Sequence, residues 1–119
     1  MKKEELDQLL KSLNIPVSEG IQNDININAP RRIVYWDFIW DSITASGSKY
    51  EDLVTYQISF YSPIPRDPTL LKLRKKLNEM KINPRIQIEY SEEDRYWHSF
   101  FAIEVAETLE VIEDVGQTL

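Results

Sequence analysis

The run RRIVYWDFIWD, Arg31 to Asp41, constrains this chain more than any other stretch. Its β-branched and aromatic side chains predict a strand. Alternate residues of a strand point to opposite faces, and here both sets are apolar, with Asp37 alone among them. Such a strand belongs in a sheet covered on both faces. The fold must supply that cover twice, or leave one apolar face to meet something else.

The supply of cover is small. A chain of 119 residues makes one domain, residues 1–119. In EELDQLLKSL, Leu6, Leu9, Leu10 and Leu13 stand at i, i+3, i+4 and i+7, which predicts a helix within residues 1–13. Glu4 and Glu5 near its start and Lys11 near its end suit the helix dipole, and Asn14 and Pro16 stop it. Asp67-Pro68 begins a second helix, a capping side chain followed by proline at the first helical position. Leu70, Leu73, Leu77 and Met80 form its buried stripe, with Lys72, Lys75, Lys76 and Glu79 opposite, and Asn83-Pro84 ends it.

Strands fill much of the rest. LVTYQISFY alternates cleanly, Val54, Tyr56, Ile58 and Phe60 against Thr55, Gln57 and Ser59. It pairs antiparallel with the first strand through the polar connection DSITASGSKYED, whose tip is Ser46-Gly47-Ser48. RIQIEY and YWHSFFAIEVAE are the last two strands, joined by the acidic turn SEEDR. Residues 14–32 read as a long loop or arm, with room for a short edge strand near Asp24 to Ile27 or an arm ordered only by a partner. Residues 108–119 have weak periodicity and are expected to fray. The expected fold is α+β, with helices packed on one face of a mainly antiparallel sheet of about four strands, in the order α-β-β-α-β-β.

Carrying the inner face across from the cleanest strand puts Val34, Trp36, Phe38 and Trp40 inside, with Val54, Tyr56, Ile58, Phe60, Ile86, Ile88, Trp97, Phe101 and Ile103. The outer face then keeps Ile33, Tyr35, Ile39, Tyr61, Tyr96 and Phe100, mixed with Asp37, Gln57, Arg85, Gln87, Glu89 and His98. No third helix remains for that face, so other protein is expected to cover it. Ile33, Tyr35, Ile39, Tyr61 and Phe100 are the subunit-interface candidates. A β-bulge that shifts the register would instead turn some of these aromatics inward.

Little in the chain points to catalysis. There is no cysteine, which excludes disulfides, thiolate zinc sites and thiol nucleophiles. With one histidine, a metal site would have to be built from carboxylates. Asp37, Asp41, Glu51 and Asp52 fall near one hairpin, as in magnesium-dependent nucleases, but Lys49 lies in the loop rather than beside them, and solvated loop charges are the better reading. SEEDR lacks the glycine and ligand alternation of a calcium loop. His98 has no serine or cysteine partner implied by sequence and reads as a polar face residue, and three glycines leave no phosphate loop.

Arg31-Arg32 and the lysines of the second helix are small basic patches without interleaved aromatics on a chain of net charge −6, so no sequence-specific nucleic-acid partner is expected. No apolar run is long enough to span a membrane, and Met-Lys-Lys leads straight into EELDQLL without a signal-type core. The expectation is a protein made and kept in a cytoplasm, or leaving by a route that needs no signal. No catalytic residue, cofactor or metal is assigned.

Several of these pieces together resemble a known family. VYWDF, TYQISFYS, the helix start PRDPTLLKL and HSFFAIEV, within Ala29 to Glu107, are similar to phage and prophage tail terminator proteins, also called tail-to-head joining proteins. The resemblance implies a small non-enzymatic α/β subunit that forms a homo-oligomeric ring, commonly hexameric, on top of a long non-contractile tail. Such a ring stops polymerisation of the tail tube and offers a surface to the head completion or connector protein. It implies a place in the virion, at the head–tail junction, after synthesis in the bacterial host cytoplasm. Residues 14–32 and 41–52 would be natural contacts to tube or connector, with Ser46, Gly47, Ser48 and Lys49 the tail-contact candidates. The alternatives are another head–tail connector or head completion protein, and a small metal-dependent nuclease using the carboxylates near Asp41.

Overall fold

The structure is a computed structural model and describes residues 1–20, 29–44 and 50–109. The first helix, α1, runs Lys3–Lys11, and Leu6, Leu9 and Leu10 are its buried side. Glu5 accepts a hydrogen bond from the Lys2 backbone N–H at 3.1 Å, satisfying the start of the helix. The chain then turns through Asn14, whose φ of 59° is the left-handed conformation that asparagine tolerates after a helix.

Five strands follow: β1 Val17–Glu19, β2 Arg32–Thr44, β3 Tyr50–Ser62, β4 Gln87–Ser91 and β5 Tyr96–Glu107. They form one mixed sheet in the order β1-β2-β3-β5-β4. β1 is parallel to β2 and every other neighbour pair is antiparallel. The second helix, α2, spans Pro68–Glu79 between β3 and β4. The α+β class and the one-sided helical cover agree with the sequence. The count of four strands does not, because Val17–Glu19 within the expected loop adds a fifth. The edge strand expected near Asp24 to Ile27 lies outside the described residues.

α2 starts at a buried carboxylate. Asp67, 1% exposed, accepts from the Thr69 backbone N–H at 2.8 Å, from Ser62 Oγ at 2.5 Å and from Arg31 Nε at 2.7 Å, with a second Arg31 hydrogen bond from Nη2. One side chain thus joins the start of β2, the end of β3 and the helix. Burial alone would raise its pKa, but the hydrogen bonds from Arg31, Ser62 and the Thr69 amide, with the Arg31 charge, hold it below the ordinary carboxylate value. Leu70, Leu73 and Leu77 are buried, while Met80, expected in the same stripe, ends the helix and is partly exposed. Lys76 Nζ donates to Ser12 Oγ at 2.8 Å, tying α2 to the end of α1.

The core lies between these helices and one face of the sheet. Leu6, Leu9 and Leu10 of α1 and Leu70, Leu73 and Leu77 of α2 pack with Tyr56, Ile58, Phe60, Phe101, Ile103 and Val105, and also with Ile33 and Tyr35. The last two correct the expected faces of β2. Ile33 pairs with Phe60 and Tyr35 with Ile58, so they share the helix-covered face and are 0% and 3% exposed. Val34 and Trp36 therefore look the other way, against the expectation that both were core. The cause is an irregularity in the ladder between Asp37 and Ile39. One extra residue flips every side chain on one side of it, so the even-numbered assignment holds only toward the hairpin, where Trp40 pairs with Val54. Phe38 sits in the bulge, 51% exposed, and Trp40 lies beyond the cover of the helices, 66% exposed.

Polar residues at the hairpin are strand, not loop: Ser42 pairs with Asp52 and Thr44 with Tyr50. The tip Ser46, Gly47, Ser48 and Lys49, and the tail beyond Leu109, lie outside the described residues.

Candidate functional site

The face of the sheet turned away from α1 and α2 carries a continuous polar and aromatic row. The ladders set Arg32 opposite Tyr61, Tyr61 opposite His98, and His98 opposite Glu89, so one residue from each of β2, β3, β5 and β4 lies in line. The Tyr61 and His98 rings stack at 4.5 Å with 5° between planes, and the Arg32 guanidinium lies 4.4 Å over Tyr61 and 5.3 Å over Tyr96. Arg32 Nη1 also donates to the Ala29 carbonyl at 3.1 Å. Phe100, next along β5, closes the row against His98 at 4.8 Å.

His98 is held at both nitrogens. Nδ1 lies 3.1 Å from Glu89 Oε1 and Nε2 2.9 Å from Ser59 Oγ. With Glu89 ionised, Nδ1 carries the hydrogen and Nε2 accepts from the serine hydroxyl. The order serine, histidine, carboxylate is that of a hydrolase relay, but Ser59 is 0% exposed beneath the imidazole. Its oxygen is not presented to a substrate. The arrangement instead fixes the imidazole ring rigidly on the surface.

This row borders a concavity of about 520 Å³ lined by Arg32, Tyr61, Glu89, Tyr90, Ser91, Asp94, Tyr96 and His98. The SEEDR turn closes one side of it, with Asp94 accepting from Ser91 Oγ at 3.3 Å and Arg95 in the left-handed conformation at φ 58°. Of the five interface candidates, Ile39, Tyr61 and Phe100 lie on this outer face, by their pairing with Thr55, His98 and Ser59. Ile33 and Tyr35 do not, for the bulge places them under the helices. Val34 and Trp36 stand in their place. The sequence reading missed the histidine cluster because its members come from four strands whose order no local pattern encodes.

A second polar cluster lies under α1 and is structural. Tyr35 Oη donates to Asp7 Oδ1 at 2.5 Å and lies 3.3 Å from Glu19 Oε1. Lys3 Nζ bridges the same two carboxylates at 2.8 and 2.9 Å. Burial and the bond to Asp7 push the Tyr35 pKa up, and burial with the bond to Glu107 does the same for Tyr56. These groups clamp α1 and β1 onto β2.

The hairpin carboxylates are spread among separate partners. Asp37 accepts from Trp40 Nε1 at 2.6 Å, Glu51 pairs with Lys2 at 2.8 Å, and Asp52 accepts from the Leu109 N–H at 2.8 Å. Among the described residues no three histidine or acidic side chains gather as a metal site. No helix of the described residues is long and apolar enough to cross a membrane. No family model and no curated protein matches this sequence.

Proposed function

We propose that the chain is a ring-forming structural subunit of a phage tail, a tail terminator that caps the tail tube, ends its polymerisation and joins the tail to the head. The observation that carries this reading is the outer sheet face. Among the described residues no helix packs on it, yet it presents Trp36, Tyr61, His98 and Phe100, half-buried rather than solvated, beside the exposed Ile39 and Glu89. A mixed aromatic and polar surface of this kind suits a protein interface better than free solvent. The resemblance of Ala29 to Glu107 to tail terminators supplies the identity of the assembly, with the subunit itself, the tail tube protein and a head completion protein as partners and the head–tail junction of the virion as its location.

The test is functional. Purified protein is added to tail tubes polymerising in vitro, and the lengths are read by electron microscopy. The proposal expects tubes arrested at the length reached on addition, each with a cap of density at one end. Tubes that keep growing at the rate of an untreated sample contradict it.

A further inference from the structure

Charge is divided unevenly along this chain. Residues 66–85 hold seven Lys and Arg against two Asp and Glu, a net of +5, which leaves −11 for the rest of a chain at −6. The excess is displayed on α2, where Lys72, Arg74 and Lys75 are exposed around Leu71, itself 50% exposed. None of these three cations forms an ion pair within the described residues. An apolar side chain framed by unpaired cations is a docking surface for an acidic, partly apolar partner.

We infer that the α2 ridge around Leu71 docks on the outer sheet face of a second copy of this chain, head to tail, and so covers the face that the fold leaves open. The inference rests on the ring-forming reading above and names its contact. Charge selects the occupant: nucleic acid is repelled by the molecule as a whole, whereas another copy offers the acidic remainder. Charge also selects the symmetry. An α2-to-α2 pairing sets cations against cations, so the contact joins two different surfaces, and a heterologous contact of that kind closes into a ring or extends into a filament.

The two surfaces match in size and chemistry. α2 has 12 residues, a length of about 18 Å, and five strands spaced about 4.8 Å make a face about 19 Å across. The sheet face provides Ile39 and Phe100 for Leu71 and Glu104 for the lysines, with Glu89 beside them already holding His98; of its cations, Arg32 is engaged with the Tyr61 and Tyr96 rings, and Arg85 lines a hollow with Gln57 and Phe100.

The experiment uses two variants of the full chain in sedimentation velocity, with circular dichroism confirming the fold of each. Lys72→Glu/Lys75→Glu spoils the helix surface and leaves the sheet face whole. Ile39→Glu spoils the sheet face, and Glu104→Lys replaces it if Ile39→Glu fails to fold. Each variant alone is expected to associate at least about tenfold more weakly than the unmodified chain. Mixed together they are expected to form a dimer that grows no further, since one good surface of each kind remains. Unmodified chain that associates while Lys72→Glu/Lys75→Glu associates equally well overturns the α2 contact and leaves the ring reading standing. Variants that stay apart when mixed also overturn it. Unmodified chain that stays monomeric at every concentration overturns the ring reading, and this contact with it.

Discussion

The indole Nε1 of Trp40 donates to Asp37 Oδ2 at 2.6 Å, spanning the bulge that reverses the faces of β2. Asp37, the acid in the middle of the run, accepts this bond, and both groups lie at the exposed end of the strand. Asp37→Ala should therefore cost little global stability, about 1 kcal/mol or less in urea unfolding. It should loosen the bulge instead, seen as faster amide exchange from Asp37 to Trp40 with the rest of β2 unchanged. Uniform exchange along the whole strand would show that the pair does not hold the bulge.

The reversal itself makes a paired prediction. Ile33→Ala removes a fully buried side chain beneath the helices and should cost about 2–5 kcal/mol. Tyr35→Phe, which strips the hydroxyl from Asp7 and Glu19, should cost about 1–3 kcal/mol. Trp36→Ala, on the open face, should cost clearly less than Ile33→Ala in the dissociated subunit. The opposite ranking in denaturant titrations would place the register of β2 one residue away.

Acid should reach the fold through Asp67. Its pKa is lowered in the folded protein, so the stability it contributes is fully present above the unfolded value near 3.8 and is lost as pH falls through the folded value. Asp7, also lowered by its bonds to Lys3 and Tyr35 against the effect of burial, acts in the same direction. Asp67→Asn should flatten the fall in urea midpoint below pH 4. Asp67→Ala, leaving Arg31, Ser62 and the Thr69 amide without their acceptor, should cost roughly 3–5 kcal/mol at neutral pH. An acid limb unchanged in Asp67→Asn would assign the pH sensitivity elsewhere.

His98→Ala tests the outer face apart from the fold. It removes the ring stacked on Tyr61 and the bonds to Glu89 and Ser59. Self-association should weaken by about tenfold or more, the effect of losing a rigid interface anchor. The thermal midpoint of the isolated subunit should move by only a few degrees. A large drop in thermal midpoint, with the folded subunit associating as before, would make His98 a stability residue.

How much of this was legible beforehand varies with the kind of signal. Both helices were, because Leu6, Leu9 and Leu10 and the stripe Leu70, Leu73 and Leu77 repeat at the helical period, and Asp67-Pro68 is a start signal whose geometry the structure bears out. The faces of β3 and β5 were legible from strict alternation, as the pairing of Tyr56 with Ile103 and Ile58 with Phe101 shows. β2 was not, since a strand apolar on both sides carries no alternation from which a bulge at Phe38 can be placed. Val17–Glu19 was too short to stand out between Pro16 and Gly20. The ends of the hairpin strands were hidden because Asp41, Ser42, Thr44, Glu51 and Asp52 are polar and leave Ile43 alone as a strand signal. The row from Arg32 to Glu89 needed the strand order, which arises from packing across the whole chain.

If another copy covers the open sheet face in a closed assembly, the subunit has a fixed stoichiometry in solution. Native mass spectrometry of the unmodified chain, at subunit concentrations from the micromolar range upward, reads that stoichiometry. A discrete species at one integral multiple of 14.1 kDa, a ring of fixed size, is expected, giving way to single subunits on dilution. A single 14.1 kDa species at every concentration would mean that no other copy covers that face.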